Sequence, residues 1–143
     1  MPIGTVDTVQ NGKGKFMIQL NMSDSRAIYI QIVDGIKEQV VRGLLVSGDQ
    51  IPSIRQLAAM LIVTPNTVSK AYQELERQGV IVSVRGKGNF INAGEDKKEI
   101  TMAKEKIKEQ LKPICVEWQY MKLEKEALKQ MIECIFEELE GGV

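Results

Sequence analysis

Histidine is absent from the 143-residue chain, and its absence excludes Ser–His and Cys–His nucleophilic catalysis, histidine metal ligation and histidine pH switching. Cysteine is nearly absent too. Cys115 and Cys134 form no CxxC pair and cannot build a zinc site by themselves, so they read as two buried or half-buried thiols in a reducing cytoplasm. No apolar run approaches the roughly 18 residues that a spanning helix needs, and the N-terminus lacks the charged, apolar and small-residue order of a signal peptide. The expectation is a cytoplasmic protein with no membrane partner. Net charge is also missing: 19 basic residues balance 19 acidic ones, so whole-chain charge offers no argument for a nucleic-acid partner. At this length the chain holds one ordinary domain, or a small domain with a helical appendage, and not a two-lobed enzyme. What is present, 43% hydrophobic and 27% charged residues, is enough for a core with a solvated surface.

The first fifteen residues hold three glycines and few large apolar side chains, and read as a flexible arm or weak strand. Lys15 to Asn21 alternates like a short strand, and Ser23, Asp24 and Ser25 offer N-cap oxygens for a helix. Ile28, Ile32, Ile36, Val40 and Leu44 recur at helical spacing, predicting a first helix over about residues 26 to 43. After the turn SGDQIP, Ser53 and Gln56 stand at capping-box spacing, and Leu57, Ala58 and Leu61 supply the buried face of a short second helix. Thr64 followed by Pro65 starts a third helix abruptly, with Val68, Ala71, Tyr72 and Leu75 inward and Gly79 at its end. Asn66, Thr67, Ser69 and Lys70 are left facing outward.

The period then changes to two. Ile81 to Arg85 and Asn89 to Asn92 read as strands of a hairpin with a basic, glycine-flanked tip. AGEDKK reads as a linker to a helical tail. Ile100, Ala103, Ile107, Leu111, Ile114, Trp118 and Met121 make the seam of a long helix that packs along its whole length. Pro113 is expected to kink that helix or divide it in two. A last helix, about Glu124 to Glu140, carries Ala127, Leu128, Met131, Ile132, Ile135, Phe136 and Leu139 on one face.

Three short helices followed by a basic hairpin are the order of a winged helix-turn-helix. The expected fold is mainly α within the α+β class: that head, then a C-terminal antiparallel helical tail, with helices dominating. Residues 1–15 form the arm, 16–93 the winged head, and 94–143 a helical dimerisation and possible effector domain. A major groove about 12 Å wide admits one helix, whose first polar turns reach base edges. Arg85 and Lys87 supply counter-charge at the hairpin tip, while Gly86 and Gly88 let main-chain amides approach.

IYxQI, GDxIPSxRxLA, VTxNTVxKAYxxLExxG and RGxGxF follow one another between Ile28 and Ile91. This stretch closely resembles the DNA-binding head of the GntR family of bacterial transcription regulators, and the strand before it and short helical tail after it resemble the YtrA-type branch. The two amphipathic faces of the tail predict a homodimer, hence a repressor on an inverted-repeat operator; the resemblance implies control of a nearby transporter operon that includes the chain's own gene, and no cofactor is expected, with the effector unknown. The resemblance also implies DNA contacts from Arg55, from Ser53 as a phosphate ligand, and from Arg85, Gly86, Lys87 and Gly88 in the wing. Where some members carry arginines in the third helix, this chain has Pro65 and Ser69, so base reading falls on Asn66, Thr67 and Lys70, with Thr64 at the helix start.

Plainer readings stand beside these. Arg55 could serve a salt bridge within the second helix, Lys70 a pair with Glu74, and Thr64 local capping alone. The tail residues Ile107, Leu111, Ile114, Trp118, Met121, Leu128, Met131, Ile132, Ile135 and Phe136 are packing residues first, their expected use being the dimer interface. A small apolar effector would find a place near Trp118 and Tyr120. The alternative function is a protein-interaction module on a degenerate winged-helix scaffold; a fragment of an aminotransferase-bearing relative finds no support in residues 94–143. The neutral total also divides unevenly. Residues 1–93 carry ten basic and seven acidic groups, a net +3, and residues 94–143 carry nine and twelve, a net −3.

Overall fold

A computed structural model describes residues 9–10, 15–16, 18–92 and 97–141. The chain divides into two compact units at Gly94–Glu95. In the first, strands β1 (Val9–Gln10) and β2 (Lys15–Phe16) form an antiparallel ladder, followed by helix α1 (Ile28–Val41). Strand β3 (Gln50–Ile51), helix α2 (Ile54–Leu61), helix α3 (Pro65–Arg77) and strands β4 (Ile81–Val84) and β5 (Gly88–Ile91) complete the head. The second unit holds α4 (Lys97–Tyr120) and α5 (Lys125–Glu140). Most of the arm expected over residues 1–15 lies outside the described residues, as do residues 93–96 of the expected linker; Lys97 and Lys98 are already helical.

The head's core is continuous across its elements. Ile32, Val33 and Ile36 of α1, Leu57, Ala58 and Leu61 of α2, and Val68, Ala71, Tyr72 and Leu75 of α3 meet Ile51, Ile81 and Ile91 from the sheet. Each helix therefore buries the stripe that its 3.6-residue period supplies. Two caps were legible beforehand. Ser53 Oγ accepts the Gln56 amide at 3.1 Å while Gln56 Oε1 accepts the Ser53 amide at 2.9 Å, closing the capping box. Thr64 caps α3, and Gly79 (φ +77°) follows its end. The buried Tyr72 hydroxyl donates to the Pro52 carbonyl at 2.6 Å, tying α3 to the entry of α2. Burial pushes that phenol's pKa up, because the phenolate would lose its hydration.

Several expectations are corrected. The strand stops at Phe16, yet Ile18 and Leu20 are buried beyond it. Gln31 takes over where a strand would have: its side chain accepts from Asn21 N–H at 2.8 Å and donates to the Asn21 carbonyl at 3.0 Å. Ser23, Asp24 and Ser25 do not cap α1. Its N-cap is Ala27, with no side-chain bond, and Asp24 instead accepts the Arg26 amide and guanidinium. Leu44 is exposed and Leu45 buried, because the helix ends at Arg42 and Gly43 (φ +79°) breaks the register. SGDQIP is more than a turn. Gln50 and Ile51 pair with Phe90 and Asn89, making the sheet three-stranded in the order β3-β5-β4.

The tail departs from expectation in its surfaces. Pro113 lies inside one uninterrupted helix, which it does not divide; it removes a single donor, and its exposed surroundings let water take the freed carbonyl. The seam is not packed along its length. No described tail residue is buried, since two helices cover one another along a single line only. Cys115 and Cys134, expected to be at least half-buried, are both exposed. No described helix is long and apolar enough to cross a membrane.

Candidate nucleic-acid interface

Two helices and a short turn set the first part of the site. The capping box fixes where α2 begins, which puts Arg55 on its first turn with its side chain exposed. Seven residues later α2 ends at Ile62, in the left-handed conformation (φ 55°, ψ 52°), so the chain reverses within two residues to the N-cap Thr64. Arg55, Thr64 and Pro65 consequently line one open hollow of about 620 Å³ together with Ala58, Ala59, Ile62 and Val63. Asn66 is exposed on the first turn of α3, whereas Thr67 and Ser69 are half-buried. Thr67 is partly spent locally, its amide donating to Thr64 Oγ1 at 3.4 Å and its hydroxyl lying 3.0 Å from the same atom.

Lys70 is placed elsewhere. Its ammonium sits 4.3 Å from the ring centroid of Tyr29 on α1, within cation–π range, and it lines a second hollow with Gln73, Glu74 and Arg77. The expected alternative partner, Glu74, is instead held by Arg77. Those bonds keep the Arg77 guanidinium's pKa above its ordinary value.

The wing supplies the third part. Lys87 N–H donates to the Val84 carbonyl at 2.9 Å, closing a turn whose third residue, Gly86, has φ +80°, the sign a type II turn requires. Val84 pairs with Gly88, so the tip is Arg85-Gly86-Lys87, one residue earlier than the sequence pattern suggested. Gln50, which sequence reasoning passed over, donates from Nε2 to the Lys87 carbonyl at 3.0 Å and secures the tip to β3. Gly88 makes room for it: a Cβ there would stand 2.8 Å from Gln50 Nε2.

Charge separates the structural cations from the available ones. Arg26 is bound by Asp24 and Asp34, Arg42 by Glu38, and Arg77 by Glu74. Arg55, Arg85 and Lys87 are exposed and form no ion pair among the described residues. The helix-two salt bridge that would have made Arg55 merely structural is not there. In the tail, Ile107, Leu111, Ile114, Met121, Met131, Ile132, Ile135 and Phe136 are exposed, and Trp118 and Leu128 half-buried. Trp118 donates Nε1–H to the Glu124 carbonyl at 2.8 Å, which fastens the turn between α4 and α5, and Tyr120 is 82% exposed.

A helix-turn-helix formed by α2 and α3 and followed by the β4–β5 hairpin of a three-stranded sheet, with cations on α2 and the wing tip that form no ion pair among the described residues, defines a winged helix-turn-helix DNA-binding module. The profile described as "Bacterial regulatory proteins, gntR family" matches residues 28–91. The HTH-type transcriptional repressor YtrA of Bacillus subtilis (strain 168) is 40% identical over 126 residues, 88% of this chain and 97% of that protein. The uncharacterized HTH-type transcriptional regulator YhcF of the same strain is 37% identical over 119 residues, 82% of this chain and 94% of the other. Among solved structures, the transcriptional antiterminator from Listeria monocytogenes EGD-e superposes with a TM-score of 0.77 at 41% identity, covering 89% of this chain and 95% of that one. The chain belongs to the GntR family of bacterial transcription regulators, in its YtrA-type branch. It is a DNA-binding transcription regulator and not an enzyme.

Proposed function

We propose that the protein is a cytoplasmic homodimeric repressor that binds an inverted-repeat operator through residues 16–93 and dimerises through residues 94–143. The observation that carries the DNA-contact assignment is the trio of exposed, unpaired cations, Arg55, Arg85 and Lys87, in a chain whose other head arginines are neutralised by carboxylates. Ser53, Thr64, Asn66 and Thr67 provide polar groups around Arg55 and the start of α3. Gly86 and Gly88 shape the wing, and Lys70 contributes once it leaves Tyr29. Dimerisation is supported by the tail's exposed apolar residues, among them Ile107, Ile135 and Phe136. A twofold dimer presents two α3 helices to half-sites about one helical turn, roughly 10 bp, apart or a multiple of it. The B. subtilis relative is a repressor by name, and the targets implied by resemblance are the chain's own gene and an adjoining transporter operon.

Fluorescence-anisotropy titration against the duplex upstream of the protein's own gene tests this reading. Saturable binding that weakens with salt and exceeds binding to a shuffled duplex is expected, and Arg55→Ala should reduce the slope of log K against log salt by about 1. Binding indifferent to sequence and to Arg55 would refute it.

A further inference from the structure

Ile62 is a side chain that the head does not use for folding. It ends α2 with φ 55° and ψ 52°, a left-handed conformation in which a β-branched residue is strained and glycine or asparagine is at ease. The backbone there does its capping work without the side chain: the Ile62 amide donates to the Ala58 carbonyl, and the Val63 amide donates to the same oxygen at 3.0 Å. Burial offers no compensation. Ile62 is 87% exposed, more than any other large apolar residue described, while its neighbour Leu61 is 2% exposed. Ile62 does line the open hollow that Arg55, Thr64 and Pro65 also line. That combination, one unpaired guanidinium and exposed aliphatic carbon lining the same hollow, complements a sugar–phosphate strand: phosphate oxygens against the cation, deoxyribose carbons against the aliphatic side chain. Ala58, Ala59, Ile62 and Val63 offer no side-chain donor or acceptor, so the hydrogen-bonding side chains of the hollow are those of Arg55 and Thr64.

Resting on the DNA-binding reading above, we propose that Ile62 is a DNA-contact residue whose side chain packs on the deoxyribose of the strand whose phosphate Arg55 neutralises. The contact is apolar and sequence-independent, and it gives a function to a strained residue at a turn.

The test uses the full chain with Ile62→Asn, Ile62→Gly and Ile62→Val, titrated against two labelled duplexes, one from upstream of the protein's own gene and one of mixed sequence. The Asn and Gly variants should unfold at the same or higher urea concentration than the parent and bind both duplexes roughly tenfold more weakly, the loss expected for an uncovered aliphatic contact. Their salt slopes should equal the parent's, since no cation is removed, and Ile62→Val should retain most of the affinity. Unchanged affinity in folded Asn and Gly variants overturns the proposal. So does a loss confined to the promoter duplex, which would make Ile62 a base-edge reader. If the parent binds neither duplex, it is the DNA-binding reading itself that fails.

Discussion

Replacing Gly88 by alanine perturbs the wing at the point where Gln50 holds its tip. Two costs follow from the geometry. Gly88 has φ +119°, outside the region an alanine adopts comfortably, and strain of this kind costs about 1–3 kcal/mol. The added methyl would also fall 2.8 Å from Gln50 Nε2; the amide is the far end of a flexible side chain, so it would swing away and forfeit its bond to the Lys87 carbonyl. A hydrogen bond of this sort contributes roughly 1 kcal/mol. Gly88→Ala should therefore destabilise the head by about 2–4 kcal/mol, and Gln50→Ala by about 1 kcal/mol. Because both lose the same bond, the double variant should be less destabilised than the sum of the two by about 1 kcal/mol. Urea unfolding of the four proteins, followed by circular dichroism and extrapolated linearly, measures each corner of the cycle. Full additivity would show that Gln50 and Gly88 act independently, and a neutral Gly88→Ala would remove the argument from φ as well.

Asp24 provides a pH-dependent prediction. Arg26, chiefly through its side-chain hydrogen bond, holds the Asp24 carboxyl below its ordinary value of 3.8. A carboxylate whose pKa is lowered on folding adds stability above its unfolded pKa and loses it as pH falls through the folded one. Asp24→Asn should thus lower the urea midpoint near neutral pH and converge with the parent at about pH 2; a constant difference across that range would assign the effect to something other than charge. The tail yields a third prediction. Ile135→Glu puts a charge on an apolar face that is already exposed in the single chain, so helicity should persist while the particle measured by light scattering falls to monomer mass. A variant that stays dimeric would exclude that face from the interface.

Much of the head is legible in the sequence, and the reason is locality. Stripes such as Val68, Ala71, Tyr72 and Leu75 lie on one face of α3 by helical period alone, and the Ser53–Gln56 and Thr64–Pro65 starts depend on neighbours within three residues. Leu44 shows the same reason in reverse: the helical spacing that includes it runs past Gly43, where the helix has ended. Strand β3 is two residues long and owes its existence to β5, about 40 positions away, so no local signal marked it. The Gln31 bonds to Asn21 and the Gln50 bond to Lys87 are likewise long-range, joining polar residues that look like ordinary surface in the sequence.

The sequence alone determined the family, the order of elements, the cap positions and the uneven division of a neutral charge total, because each is written in residue identity or short-range spacing. Which arginines are held by carboxylates was short-range too: Asp24 stands two residues from Arg26, Glu38 four from Arg42 and Glu74 three from Arg77, while no acidic residue lies within four positions of Arg55. Tertiary structure decided that Arg55 shares an open hollow with Thr64 and Pro65 at the start of α3. Tertiary structure also moved Lys70 onto Tyr29 and left the tail's apolar face uncovered, since both depend on which surfaces meet across the chain and not on what adjoins along it.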